Sequence, residues 1–125
     1  MDQLEQFTDK KFLNLETFRK SGESMKTPVW FTQDGGTLYV RTVANSGKVK
    51  RVHNNGKVNV APCAVDGKLL GEWVPAQAQH VQDPAVDQKV ARLIRKKYGL
   101  ISVVLAIRSR FRHDVYAILE IKLLG

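Results

Sequence analysis

Apolar and polar positions along this chain fall mostly into short alternating runs separated by glycine-bearing turns, which is the signature of strands rather than long helices. Thr27–Thr32 and Thr37–Val43, both rich in branched and aromatic residues, flank Asp34-Gly35-Gly36 and predict a β-hairpin. Val58–Val65 predicts a third strand, and Asp66-Gly67 turns it into a long fourth one, Leu69–Val81. Pro75 is expected at an edge or a bulge there, because it cannot donate to a ladder. Val115–Leu123 closes the series.

Helical spacing appears in four places. Thr8 can cap a helix over Asp9–Lys20, on which Phe12, Leu15 and Phe18 share a face and Gly22 marks the stop. Gly47–Asn55 reads as a short basic helix with Val49 and Val52 inward. Asp83-Pro84 is an N-cap acid followed by a first-turn proline, opening a helix whose stripe is Val86, Val90, Leu93 and Ile94 and whose end is Gly99. Leu100–Phe111 fits a helical stripe and a strand alternation alike; its length and the placement of Arg108 and Arg112 on one face favour a helix.

Hairpin-linked strands with helices at the flanks indicate an α+β protein on an antiparallel sheet closed into a small barrel. The 125 residues suit one domain spanning 1–125. So short a chain has a limited core, and pairing two barrels would bury more surface and open a groove between them.

Composition removes several function classes. The hydrophobic fraction of 43% is that of a folded globular chain, and no apolar run reaches the ~20 residues of a membrane helix. The opening MDQLEQFTDK lacks the basic-then-apolar order of a signal peptide, so a cytoplasmic location is expected. Cys63 is the only cysteine and reads as a small buried residue. With His53 expected to face solvent on the basic helix and His80 and His113 isolated, neither a zinc constellation nor a general acid–base set is expected.

The net charge of +8 changes the picture. Between Asp34 and Asp66 there is no acid, while Arg41, Lys48, Lys50, Arg51 and Lys57 all fall inside; a second acid-free window runs from Asp87 to Asp114. Concentrated cations call for an anionic partner. The first window also contains a Ser46-Gly47 loop opening a basic helix. Unpaired backbone N–H groups, the helix dipole and lysines together are a means of holding phosphate.

The residues from Thr42 to Pro62 resemble the signature of the pyridoxamine 5′-phosphate oxidase superfamily, in which a strand precedes a Ser-Arg-Lys loop and a helix ending in Asn-Asn-Pro. This chain has Ser46-Gly47-Lys48, Val49–His53 and Asn54-Asn55-Gly56. The segments TPVWF (Thr27–Phe31), KVKR (Lys48–Arg51), APC (Ala61–Cys63), GEWV (Gly71–Val74) and Lys97-Tyr98-Gly99 are similar to the deazaflavin-using, F-420-dependent branch. The resemblance implies an FMN-binding type split β-barrel, homodimeric, with FMN or F-420 in each interface groove and hydride transfer to a small organic substrate. Carried over by position, Arg41 and Thr42 match the strand-end pair lining the cofactor side chain, and Ser46 and Lys48 match the phosphate-binding pair. Lys50 and Arg51 lie on the same helix, Lys50 being the preferred helper. Thr27, Pro28, Val29 and Trp30 match the segment that edges the ring system.

Three departures stand out. The family's loop arginine is Gly47 here, the glutamine that contacts the ring has no clear counterpart, and the C-terminal Trp and Arg that hold the vitamin substrate are missing before Gly125. Pyridoxamine phosphate oxidation itself is therefore not expected, and no catalytic residue is assigned. A flavin carrier or sensor without turnover is the alternative. A nucleic-acid module using Tyr39 and Phe111 ranks third, because no recognised nucleic-acid motif is present.

Overall fold

The computed structural model describes residues 3–101, 104, 107, 108 and 115–124. Seven strands form a single antiparallel sheet: β1 Phe12–Phe18, β2 Ser24–Val29, β3 Thr32–Asp34, β4 Thr37–Val43, β5 Lys57–Cys63, β6 Val74–Val81 and β7 Tyr116–Leu123, in the order β2-β1-β5-β6-β7-β4-β3. The strands at its two edges, β2 and β3, are joined by Trp30-Phe31 alone. Two residues span at most ~10 Å between flanking strand ends, so the sheet has to curl back on itself. This is the expected antiparallel split barrel with flanking helices.

Helix α1, Gly47–Asn54, inserts Val49 and Val52 among the inward residues of the barrel, which include Leu13, Leu15, Leu38, Val40, Val60 and Leu119. Helix α2, Pro84–Tyr98, lies outside, with Val90 and Ile94 on Tyr39 and Ile118. The β4 alternation serves both layers: Leu38 and Val40 face in, while Tyr39 faces α2. Asp83 caps α2 by accepting from the Ala85 amide at 2.9 Å, as its Asp-Pro start predicts. Leu100, Ile101, Val104, Ile107 and Arg108 are helical, in line with the helical reading of Leu100–Phe111. The rest of that segment lies outside the described residues.

Four expectations need correction. The helix expected over Asp9–Lys20 is instead strand β1, paired with β2 on one side and β5 on the other. Leu13, Leu15 and Thr17 alternate and are completely buried; two flanking ladders outweigh a weak helical stripe. Gly22, with φ +92°, turns the β1–β2 connection rather than ending a helix. The run Thr27–Thr32 is not one strand but splits after Val29, giving β2 to β1 and β3 to β4. The hairpin around Asp34-Gly35-Gly36 survives in the β3–β4 pair, closed by Asp34↔Thr37 with Gly35 at φ +60°. The long fourth strand begins only at Val74, and β6 lies inside the sheet, not at an edge. Pro75 is tolerated because it is the second residue of β6, opposite the end of β7, where its carbonyl accepts from the Leu124 amide at 2.9 Å.

Candidate functional site

Strand β4 runs through Arg41 and Thr42 into a turn in which the Ser46 amide donates to the Val43 carbonyl at 3.0 Å. Ser46 then stands at the N-cap of α1 in extended conformation (φ −72°, ψ 158°). An N-cap serine ordinarily accepts from an amide of the first turn. This one does not: its Oγ is buried and has no hydrogen-bond partner. No acidic side chain occupies the first turn of α1. A buried hydroxyl without a partner costs about 1–3 kcal/mol, and the first amides of a helix have no acceptor within it.

Two cations crowd this point. Lys48 is half-buried, and burial first, then the nearby Arg51 charge, lowers its pKa. Arg51 is likewise lowered, by burial and then by Arg19. Its Nε donates to Thr17 Oγ1 at 2.6 Å, and its guanidinium folds back over the helix start, so that a Cβ on Gly47 would lie 2.6 Å from Nη1. The missing loop arginine is thereby replaced in space: Gly47 leaves the room and Arg51, one turn along, supplies the guanidinium. Lys50, the preferred helper, is exposed. Thr17 carried no signal in the sequence, since its role depends on β1 being a strand that passes beneath α1.

The remaining candidates are distributed around the sheet. Thr27, Pro28 and Val29 lie on edge strand β2, whereas Arg41 and Thr42 lie on β4, with β1, β5, β6 and β7 between them in the ladder order. Arg41 sits over the Tyr116 ring at 4.1 Å. Trp30 stacks on Tyr98 at 4.0 Å with planes 5° apart, and so belongs to the α2 packing. Thus Gly47, Lys48 and Arg51 lie together at the start of α1 beside Ser46, while Trp30 and Arg41 make ring contacts with Tyr98 and Tyr116.

Other chemistry-bearing residues resolve simply. Cys63 is buried, and burial with Asp66 pushes its thiol pKa up, which suits a packing role. Tyr39 is covered by α2 and unavailable for stacking on bases, while Phe111 lies outside the described residues. His53 and His80 are not isolated: their ring nitrogens lie 2.8 Å apart. Among the described residues no group of three or more His, Cys, Asp or Glu could hold a metal, and no helix is long and apolar enough to cross a membrane. A cavity of about 690 Å³ bordered by Lys10, Lys11, Gln33 and Lys97 lies at the β1–β3–α2 end, apart from the start of α1.

The fold is shared by known structures of low sequence identity. The heme storage protein HutZ of Vibrio cholerae superposes with a TM-score of 0.73 at 14% identity, covering 97% of this chain and 87% of that one. General stress protein 26 of Bacillus anthracis gives 0.65 at 21%, covering 97% and 85%. A NimC/NimA family protein of Clostridium acetobutylicum gives 0.62 at 16%, covering 94% and 75%. No curated protein sequence matches this chain. The sequence model of the pyridoxamine 5′-phosphate oxidase family, however, matches residues 1–123, the same span that folds into the curled barrel, and the chain belongs to that family.

Proposed function

We propose that this chain is an oxidoreductase that holds a flavin-type cofactor, FMN or the deazaflavin F-420, by its phosphate at the start of α1. The observation that carries this reading is the buried, unpartnered Ser46 Oγ at a helix N-terminus flanked by Lys48 and Arg51. A phosphate there would accept from Ser46 and the helix amides and relieve the mutual repulsion of two partly desolvated cations. The cofactor, when bound, supplies hydride transfer to a small organic substrate; the protein binds, orients and shields it.

The small core of so short a chain supports a homodimer, in which the partner barrel completes the groove. The exposed apolar face of Leu100, Ile101, Val104 and Ile107 is suited to such pairing. We take residues 1–125 as one domain acting in the cytoplasm.

The test is the visible spectrum of the purified protein, followed by titration of FMN and F-420. Binding of either in the micromolar range, weakened by about 1.5–3 kcal/mol on Lys48→Ala, is expected for a charged hydrogen bond to phosphate. Absence of binding at tens of micromolar for both cofactors overturns the reading. A carrier or sensor without turnover is the second reading, favoured by a structural neighbour that is a heme storage protein. A coloured complex inert toward nitro, quinone and enone acceptors selects it.

A further inference from the structure

At the opposite end of α1 from Ser46, His53 Nε2 and His80 Nδ1 lie 2.8 Å apart, with ring centroids 5.0 Å apart and planes tilted by 43°. The two residues are 27 positions apart, one in the last turn of α1 and the other near the end of β6. We infer that this pair is a binding site for a divalent transition-metal ion of the imidazole-preferring class, such as Zn²⁺, Ni²⁺ or Cu²⁺, joining α1 to β6.

Geometry carries the inference. Metal–imidazole bonds of about 2.05 Å with inter-ligand angles between 90° and 110° place two nitrogens about 2.9–3.4 Å apart. The pair already stands within a few tenths of an ångström of that bite. Without metal, one ring donates its N–H to the other. To receive a metal, the donating ring only has to carry its proton on its outward nitrogen instead; both rings stay neutral and no proton leaves the protein. The rings are accessible from solvent and open on a cavity of about 400 Å³, which Gln77 and Gln79 also line. The remaining coordination positions would be filled by water or by a carboxamide oxygen from those glutamines. Electrostatics contribute in the same direction, because His53 is in the last turn of α1, where the helix dipole favours a cation. The backbone is already held at this seam, with the Ala78 amide donating to the Gly56 carbonyl at 2.8 Å, so little ordering is needed on binding.

The site is independent of the cofactor reading, and its test uses metal alone. Tag-free full-length protein is titrated calorimetrically with Zn²⁺ and with Ni²⁺, alongside His53→Ala, His80→Ala and His113→Ala. One equivalent is expected to bind with micromolar affinity, at least tenfold more weakly in the His53 and His80 variants and unchanged in the His113 variant. As a check that needs no variant, Zn²⁺ should shift the imidazole ring resonances of His53 and His80 together at one equivalent in the wild-type chain. The inference is overturned if no metal binds at 1 mM, if the His53 or His80 variant binds as tightly as the wild type, or if only His113 responds.

Discussion

Arg51 donates its Nε to Thr17 Oγ1 at 2.6 Å, fixing the guanidinium of α1 against strand β1 and over Gly47. Thr17 is completely buried, so this bond has little competition from water. Hydrogen bonds to charged groups contribute about 1.5–3 kcal/mol. Thr17→Val keeps the branched shape on β1 and removes the acceptor. Urea unfolding should show a loss of that order, and FMN or F-420 should bind more weakly because the guanidinium is no longer aimed at the helix start. Stability reduced with cofactor affinity intact would separate Arg51 from the phosphate site.

Ser46→Ala tests the unpartnered hydroxyl from the other direction. Removing an N-cap serine usually costs about 1 kcal/mol. Here the side chain makes no capping bond, and the substitution removes a buried unsatisfied oxygen. The cofactor-free protein should therefore be as stable as the wild type or slightly more so, while cofactor affinity falls several-fold. A thermal melt of both proteins, with and without FMN, reads the two effects separately. Destabilisation of the free protein by a full kilocalorie would show that Ser46 caps α1.

Lys97 gives a pH signature. Burial, then the Lys11 charge, lowers its pKa from 10.5 to about 8, and its Nζ donates to the Phe31 carbonyl at 2.9 Å. Between pH 8 and 10.5 the unfolded chain holds a proton on this amine that the folded chain has released, so stability rises with pH across that window. The contribution is absent below pH 8, where both forms are charged. Because the amine is only half-buried, solvent screening reduces the effect to the order of 1 kcal/mol. Comparing denaturation of wild type and Lys97→Met at pH 7 and pH 10 should show the wild type gaining on the variant at the higher pH. Parallel profiles would mean an ordinary, solvated lysine.

Tyr98 anchors the link between the two edge strands. Its hydroxyl accepts from the Phe31 amide at 3.0 Å and lies 2.7 Å from the Lys11 carbonyl, while its ring stacks on Trp30. Tyr98→Phe keeps the stack and leaves the Phe31 amide without this acceptor, at a cost of about 1–3 kcal/mol. Hydrogen exchange should report faster exchange at Phe31, with Trp30 fluorescence little changed. Burial, opposed by the Phe31 backbone hydrogen bond, pushes the tyrosine to a pKa of about 12, so stability should also fall between pH 10 and 12, where the unfolded tyrosine ionises and the folded one does not.

What could be read along the chain was whatever is settled within a few residues. Asp83-Pro84 and Gly99 bound α2, the Asp34-Gly35-Gly36 turn, and the Ser46-opened basic helix all depend on local caps, turns and short periodicities, and each is found where it was expected. The helix start at Ser46, with Lys48 in its first turn, was legible for the same reason, since caps and short periodicities are local. Tertiary structure decided the rest. Phe12–Phe18 became a strand because β2 and β5 supply ladders on both sides, which no local pattern reveals. Arg51 took the place vacated at Gly47 because Thr17, 34 residues away, holds it there. His53 and His80, apart in sequence, meet only because α1 packs against β6. Local chemistry determined which groups could act; closure of the sheet, a matter of long-range pairing, determined which of them act together.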